Sequence, residues 1–274
     1  MKKNYVTLLF IVIGTFLHNH IIANEVIVIG ASPTPHAAIL KQVQPILKKQ
    51  GIDLQIKELN DYVTPNLLLS QNQLDANFFQ HRPYLKQFNK EHGTNLVELA
   101  SVEIEPMGIF VNKTLPSLQN FLKTKTLSKL PKGLIISIPN DTTNEGRALL
   151  LLQSYHFITL KKNVEFPTKK DIMGNPYDLE FKELEAPMLP RVLKTGDTSI
   201  AVINANFALL AGLSPIKDAI FIETNNSPYV NIIAVKKEDV NLPKFQKLKS
   251  AINSPAINTF IKKQYKEAII PTFK

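Results

Sequence analysis

The segment NDTTNEGRALLLLQ, residues 140–153, places an arginine near the start of a predicted helix. Thr142 and Glu145 have the spacing of a capping box, which predicts Thr142 as the N-cap and puts Arg147 within about the second turn. A cation is unfavourable there, because the helix dipole makes that end positive. One interpretation is that Arg147 and the helix N-terminus together bind a carboxylate, whose two oxygens fit the guanidinium fork. The alternative, that Asp141 or Glu145 pairs with Arg147, stays open.

A second group of polar and aromatic side chains lies in FFQHRPY, residues 78–84, at the end of a predicted strand. His81 and Tyr84 are three positions apart, so they can share one face of the helix start. Aromatic surface with polar tips suits a mostly apolar side chain that also carries a polar group. The alternative is that Phe78 and Phe79 belong to the core and His81 satisfies a helix end. No metal site is predicted, because the histidines show neither HxxxH nor HExxH spacing.

Two asparagines follow predicted strands, Asn204 in VIN and Asn231 in SPYVN. An amide can bind a carboxylate through its NH₂ group and an ammonium through its C=O group. Asparagine is also a common turn residue, so both interpretations remain. The sequence contains no G-x-S-x-G elbow, no G-x-G-x-x-G and no Walker A motif. These observations favour binding over catalysis.

The composition is that of an ordinary globular protein, with 44% hydrophobic and 20% charged residues among 274. This length allows two lobes. The basic start MKKNY precedes the apolar stretch VTLLFIVIGTFL, which predicts a signal peptide over residues 1–23 and export to the periplasm. The sequence contains no cysteine, so we expect no cysteine lipid anchor. The exported protein is expected to be free or to be tethered by an uncleaved N-terminal segment.

The formal net charge of +9 could attract nucleic acid or an anionic membrane. The lysines are spread in pairs, such as Lys48 with Lys49 and Lys262 with Lys263, without interleaved aromatic residues. Nucleic-acid-binding surfaces combine basic residues with stacking aromatic side chains. We therefore expect a solvated basic surface and no nucleic-acid partner.

Alternating strand and helix patterns predict an α/β fold. Strands are expected at 25–30, 52–59 and 74–79, with helices between them. This βαβαβ order predicts a parallel sheet, and such sheets bind ligands at the carboxyl ends of their strands. A second α/β series follows without a Pro/Gly/Ser-rich linker. We predict two lobes with a ligand cleft between them: lobe 1 comprises residues 24–107 and 236–274, and lobe 2 comprises residues 108–235.

Seven segments, in order from about residue 26, resemble the NlpA-type methionine-binding proteins that serve ABC importers. They are IVIGASPTPHAAIL, ELNDYVTPNLLLSQNQLDANFFQHRPYLKQFNKEHG, VEIEPMGIFVNK, IPNDTTNEGRALLLLQ, KELEAPMLPRVL, AVINANFALLAGL and SPYVNIIAVKKED. The resemblance implies a type 2 periplasmic-binding-protein fold whose lobes close on L-methionine, D-methionine or a methionyl derivative. It also implies an ABC permease and its ATPase subunit as partners, a monomeric protein, no cofactor and no catalytic activity.

The resemblance also assigns residue roles by motif. Arg147 of NEGR would bind the ligand carboxylate, and Asn204 of AVIN with Asn231 of SPYVN would hold the amino-acid head group. Four more residues would line the same pocket, with the first two of them packed around the thioether: Tyr62 of NDYV, Phe79, His81 and Tyr84.

Other functions stay open. The cleft could bind another small amino acid or a dipeptide. An enzyme on the same fold would need an acid or base, for which His81 is the only candidate. The basic surface could instead serve an interaction or adhesion role.

Overall fold

The structure, a computed structural model, describes residues 24–224 and 227–273. The predicted signal peptide, residues 1–23, lies outside the described residues. Among the residues described, no helix has both the length and the apolar character needed to cross a membrane.

Strands and helices alternate along most of the described chain. In chain order the strands are β1 (Glu25–Ala31), β2 (Ile52–Glu58), β3 (Ala76–His81), β4 (Leu96–Ile104), β5 (Gly108–Val111), β6 (Ile135–Pro139), β7 (Thr159–Leu160), β8 (Ile172–Gly174), β9 (Glu180–Leu184), β10 (Ile200–Ile203), β11 (Ala219–Ile222), β12 (Val230–Lys236) and β13 (Ile270–Pro271). The α-helices are α1 (Ala38–Lys48), α2 (Thr64–Ser70), α3 (Arg82–His92), α4 (Gln119–Thr124), α5 (Thr142–Ser154), α6 (Leu189–Thr195), α7 (Ala205–Leu210), α8 (Pro215–Asp218), α9 (Pro243–Ile252) and α10 (Pro255–Tyr265).

The first lobe is built on a six-stranded sheet in the order β13-β4-β12-β3-β1-β2. β1 pairs in parallel with both β2 and β3, which confirms the parallel arrangement predicted from the βαβαβ pattern. β12 lies antiparallel between β3 and β4. Ile27 and Ile29 of β1 are fully buried and share one core with Leu40 of α1, Phe245 of α9 and Ile257 of α10. Burial of this apolar surface therefore holds three helices against the sheet.

The second lobe is built on a five-stranded sheet in the order β11-β5-β10-β6-β9. β6 pairs in parallel with β10 and β9, whereas β5 runs antiparallel to β10 and β11. The apolar run of α5 supplies Leu149 and Leu152 to a core that includes Phe121 and Phe157. The structure confirms the helix predicted for this segment.

Loops leave the carboxyl ends of β1, β2 and β3 at one edge of the first sheet, as the parallel pairing requires. Proline in the first turn of α2 and α3 helps to start these helices, because proline lacks the N–H that would be unpaired there. Gly93 ends α3 with a φ of 64°, a conformation that glycine adopts without steric cost. These signals place Tyr62 and His81, which flank the two helix starts, at the same sheet edge.

The exact lobe boundaries, 24–107 with 236–274 and 108–235, remain a prediction. The pairing of β12 with β3 and β4 puts residues 230–235 in the six-stranded sheet, whereas the sequence analysis assigned them to lobe 2. We propose that the chain crosses between the lobes twice, at Glu105–Met107 and between β11 and β12. The hydrophobic repeat of β12 could not reveal this, since an apolar strand fits either sheet.

The central position of β12 leads to a stability prediction. Ile233→Ala is expected to lower the free energy of unfolding by about 2–5 kcal/mol, because Ile233 is fully buried and its truncation leaves a cavity. Chemical denaturation followed by circular dichroism measures the change. Met173→Ala is the control, since Met173 is 73% exposed and such substitutions stay within about 0.5 kcal/mol. Equal effects of the two substitutions would contradict the assignment of β12 to the core.

Candidate functional site

The seven residues predicted for the site line one cleft between the lobes. They are Tyr62, Phe79, His81, Tyr84, Arg147, Asn204 and Asn231. Gln80, Glu105, Asn144 and Ala205 complete the lining. The lining atoms leave a cavity of about 10 Å³, roughly the room that one water molecule needs, so the walls of the cleft lie close together in this structure. The structure brings all the predicted residues together, while the role of each stays a prediction.

Aromatic rings from lobe 1 form one wall of the cleft. The ring centroid of Tyr62 lies 6.0 Å from that of Phe79 and 6.0 Å from that of Tyr84. Tyr62 donates its hydroxyl to Asn206 Oδ1 of lobe 2 at 2.7 Å, and Tyr84 donates its hydroxyl to the Tyr62 carbonyl at 2.6 Å. Burial raises the pKa of both phenols, so they remain neutral. Both hydroxyls thus donate to protein acceptors, and the ring surfaces are suited to contact an apolar side chain.

His81 connects the two lobes as a neutral imidazole. It is the N-cap of α3, where its Nδ1 accepts the Tyr84 N–H at 3.1 Å. The proton of the neutral ring must therefore be on Nε2, which lies 3.2 Å from Asn144 Oδ1 and donates to it. Burial, followed by the charge of Arg147, lowers the pKa of His81 to about 3. Both interpretations of the sequence hold, because His81 satisfies a helix end and also lines the cleft.

Side-chain amides from lobe 2 continue this chain of hydrogen bonds. Asn204 Nδ2 donates to Asn144 Oδ1 at 2.8 Å, and Asn144 Nδ2 donates to both Asp141 carboxylate oxygens, at 2.9 and 3.0 Å. Asn204 precedes α7 without capping it by its side chain, so the amide is directed to the cleft. Asn231 lies opposite His81 in the β12–β3 register. Both asparagines line the cleft, and their role towards a ligand stays a prediction.

The start of α5 differs from the prediction. Asp141, rather than Thr142, is the N-cap, and its carboxylate accepts the Asn144 N–H at 3.0 Å. Glu145 does not complete a capping box, because its carboxylate accepts the Lys169 N–H at 3.0 Å. The predicted capping box is wrong, because Asp141 caps the helix and the Glu145 carboxylate accepts from the backbone of Lys169 instead.

Arg147 is 3% exposed and is held by Glu223. Its Nε donates to Glu223 Oε1 at 2.8 Å, and its Nη2 donates to Glu223 Oε2 at 2.6 Å and to the Glu105 carbonyl at 2.7 Å. The Tyr229 ring centroid lies 4.3 Å from the guanidinium carbon. Although burial acts to lower the pKa of Arg147, Glu223 raises it, so the side chain stays a cation. The alternative in which Asp141 or Glu145 pairs with Arg147 is wrong.

A buried group of ionisable residues adjoins the cleft. His36 Nε2 lies 3.5 Å from Glu103 Oε1 and 3.3 Å from Glu105 Oε1. Burial lowers the pKa of His36 and raises the pKa of each carboxyl group to about 8. Within the described part of the chain, these three residues are the ones whose ligand atoms could converge on a metal ion. Histidine spacing did not reveal this group, because the fold brings its members together from distant positions.

Besides Gln80 and Ala205 of the lining, the sequence analysis missed three polar or charged residues that bond to the predicted ones or lie beside them: Glu105, Asn144 and Glu223. Asn144 had a signal, since it lies three positions before Arg147 on a predicted helix start. Glu105 follows a strand at the point where the chain was expected to cross between lobes, where ligand contacts concentrate. Glu223 had none, because it pairs with a residue 76 positions away.

Comparison with known proteins gives a family match and close relatives. The model of the family described as NlpA lipoprotein matches residues 27–273. The chain is similar to the methionine-binding lipoprotein MetQ of Bacillus subtilis strain 168, with 40% identity over 249 residues, or 89% of this chain and 87% of that protein. It is also similar to the D-methionine-binding lipoprotein MetQ of Escherichia coli strain K12, with 40% identity over 210 residues, or 76% of this chain and 74% of that protein.

Among solved structures, the chain is similar to a nutrient binding protein from Burkholderia cenocepacia bound to methionine. The two share 41% identity with a TM-score of 0.83, and the match covers 90% of this chain and 100% of that chain. These findings confirm the predicted family resemblance and the two-lobed periplasmic-binding-protein fold.

The prediction about localisation is contradicted by the same comparisons. We predicted a periplasmic protein without a cysteine lipid anchor, but the matching family and both MetQ relatives are lipoproteins. Tethering to a membrane by a lipid anchor is the property of this family, and a freely diffusing protein was the wrong expectation. The expectation rested on the absence of cysteine from the 274 residues. Lipid attachment is a covalent modification, and the pattern of strands and helices does not predict it.

The neutral state of His81 can be tested by NMR. The imidazole Cε1–H signal of His81 is expected not to shift between about pH 5 and 8, because its pKa of about 3 lies below that range. The signal is assigned by its loss from the spectrum of His81→Asn. A titration midpoint near the ordinary histidine value of about 6.5 would contradict the hydrogen-bond arrangement described above.

Proposed function

Because the chain belongs to the NlpA lipoprotein family, we propose that it is the extracytoplasmic solute-binding protein of an ABC importer and captures methionine between its lobes. The ligand is L-methionine, D-methionine or a methionyl derivative. The Bacillus and Escherichia relatives are named for binding methionine and D-methionine, and the Burkholderia protein was solved with methionine bound. The identity and coverage of these matches support the transfer of ligand class to this chain.

The combination of a buried cation with an aromatic wall in one cleft carries this proposal. A ligand carboxylate would approach Arg147, and an apolar side chain would contact the rings of Tyr62, Phe79 and Tyr84. A thioether adds sulfur–aromatic contacts that contribute roughly 0.3–1.5 kcal/mol each. Methionine carries both groups.

The contacts of Arg147 refine how it would bind the carboxylate. Nε and Nη2 already donate to Glu223 and to the Glu105 carbonyl. We therefore propose that the ligand carboxylate is bound through Nη1, and not through the two-nitrogen fork suggested by the sequence. Asn204 and Asn231 complete the head-group site, since both amides line the cleft.

An ABC permease and its ATPase subunit are the proposed partners, and the binding protein is proposed to act as a monomer without catalysis. His81, the candidate acid or base, has one ring nitrogen bonded to the Tyr84 N–H and the other to Asn144. A general base needs a nitrogen directed at the reacting proton. This bonding supports a positioning role for His81 over a catalytic one.

Purified protein, freed of bound ligand by unfolding and refolding, tests the function directly. Calorimetric titration with L-methionine, D-methionine and methionyl dipeptides is expected to give at least one dissociation constant in the micromolar range or below, without turnover. Mass spectrometry of ligand that co-purifies provides an independent identification. Binding of other amino acids but not of methionine or its derivatives would contradict the proposed ligand. Formation of a product would contradict the proposed binding function and indicate an enzyme.

The role of Arg147 leads to a second prediction at this site. Arg147→Ala is expected to weaken methionine binding about 10- to 100-fold, because a hydrogen bond to a charged group contributes roughly 1.5–3 kcal/mol. Calorimetry measures the change, and a thermal melt checks that the variant is folded. Arg82→Ala is the matched control, because Arg82 pairs with Glu98 at an exposed position. Unchanged affinity in Arg147→Ala would contradict a role in ligand binding and leave Arg147 a structural role, the ion pair with Glu223.

A further inference from the structure

Three ionisable side chains form a buried group beside the cleft: His36, Glu103 and Glu105. Their exposed fractions are 1%, 0% and 5%. Five of their side-chain atoms are buried without a hydrogen-bond partner among the described residues: His36 Nδ1 and Nε2, Glu103 Oε1 and Oε2, and Glu105 Oε1. Buried polar atoms in native proteins are nearly always bonded to the protein, to water or to an ion. These atoms therefore call for a partner from outside the chain.

The spacing of these atoms matches that of ligands around a tetrahedral metal ion. His36 Nε2 lies 3.5 Å from Glu103 Oε1 and 3.3 Å from Glu105 Oε1. Zinc binds histidine nitrogen and carboxylate oxygen at about 2.0–2.2 Å, so neighbouring ligands of a tetrahedral zinc ion are roughly 3.3–3.6 Å apart. Octahedral magnesium, with ligands at about 2.0–2.1 Å, would need them only about 3 Å apart. Both measured separations therefore fit zinc better than magnesium.

The fold holds each of the three side chains in place. The His36 ring packs edge-to-face on the Phe78 ring, with centroids 4.4 Å apart. Glu103 belongs to β4, which pairs with β12 on one side and with β13 on the other. Glu105 Oε2 accepts the Asn206 N–H at 3.1 Å, which leaves Oε1 for another partner. Metal ligands must be fixed in a productive geometry by surrounding contacts, and these contacts supply that rigidity.

We propose that His36 Nε2, Glu103 Oε1 and Glu105 Oε1 bind a divalent transition-metal ion, for which zinc is the best match. Imidazole is a ligand for transition metals rather than for calcium or magnesium. In zinc sites with three protein ligands, a water molecule takes the fourth position of the tetrahedron. Coordination satisfies three of the five buried atoms that have no hydrogen-bond partner among the described residues.

The charge of Arg147 does not oppose a metal ion at this group. Arg147 acts electrostatically on both carboxyl groups, but its guanidinium is neutralised by two hydrogen bonds to the Glu223 carboxylate. Metal ions bind deprotonated carboxylates and release protons. A divalent ion with two ionised carboxylates and a neutral imidazole has no net charge, and this avoids the cost of an uncompensated buried charge.

Glu105 connects the proposed metal site to the cleft. It is the member of the group that belongs to the cleft lining, whereas His36 and Glu103 are absent from that lining. Opening of the cleft would therefore give an ion access through Glu105. A substitution of Glu103 changes the metal site without replacing a residue of the lining, which makes it the sharpest test.

Zinc titration of purified, untagged protein tests the proposal. The protein is treated with a chelator, dialysed and titrated with zinc chloride in a calorimeter. The wild type is expected to bind one zinc ion per chain, with a dissociation constant in the micromolar range or below. At a free zinc concentration about 100 times that constant, the melting temperature is expected to rise by about 5–10 °C. X-ray absorption is expected to show nitrogen and oxygen ligands at about 2.0–2.2 Å from zinc.

Two variants locate the bound ion. Glu103→Gln keeps the shape of the side chain and is expected to weaken zinc binding at least about 100-fold, since loss of a residue that only supports a ligand already costs about 10- to 100-fold. His156→Asn removes an exposed histidine and is the control, expected to bind zinc as the wild type does. Circular dichroism checks that each variant is folded, and His36→Gln replaces Glu103→Gln if the latter is unfolded.

Absence of zinc binding by the wild type would overturn the proposal and assign the buried atoms to ordered water molecules. Equal zinc affinity of the wild type and Glu103→Gln would also overturn it, because the ion would then be bound elsewhere on the chain. A preference for calcium or magnesium over zinc would contradict the proposed ligand set. The titrations contain no methionine, so their outcome is independent of the proposed function.

Discussion

The buried guanidinium of Arg147 is the interaction on which the cleft depends. It extends from α5 and bonds to the Glu105 carbonyl, between β4 and β5, and to the Glu223 carboxylate, after β11. A buried cation costs several kcal/mol unless it is paired, so this side chain requires Glu223 to stay close. One side chain thereby holds these two segments of the chain together.

The same pairing determines which charges remain for a ligand. Glu223 neutralises Arg147 on one side and leaves Nη1 on the other, while His81 is neutral and the amides of Asn144 and Asn204 carry only dipoles. Glu105 adds a carboxyl group, whose pKa burial raises to about 8, on the same short segment whose backbone carbonyl accepts from Arg147. Arg147 is therefore the side chain of the cleft that keeps its charge near neutral pH, and a ligand anion would offset that charge.

The sequence predicted those features of the fold and site that local pattern controls. Strand ends in a βαβαβ series share one sheet edge by geometry, so Tyr62 and His81 could be brought together in advance. Glu223 could not be linked to Arg147, because they are 76 positions apart and no local pattern joins them. The helix start at Asp141 shows the same limit at short range. Glu145 accepts from the Lys169 N–H, 24 positions away, instead of completing the predicted capping box.

Hydrogen bonds between neutral side chains cross the cleft. Tyr62 bonds to Asn206, and His81 bonds to Asn144; neutral hydrogen bonds of this kind contribute roughly 0.5–1.5 kcal/mol each. The ion pair of Lys86 with Glu165 is exposed, and exposed pairs contribute little. A ligand that contacts Arg147 of one lobe and the aromatic wall of the other adds free energy to the closed state alone. Ligand binding and closure are therefore coupled, because only that difference in contacts can shift the equilibrium between states.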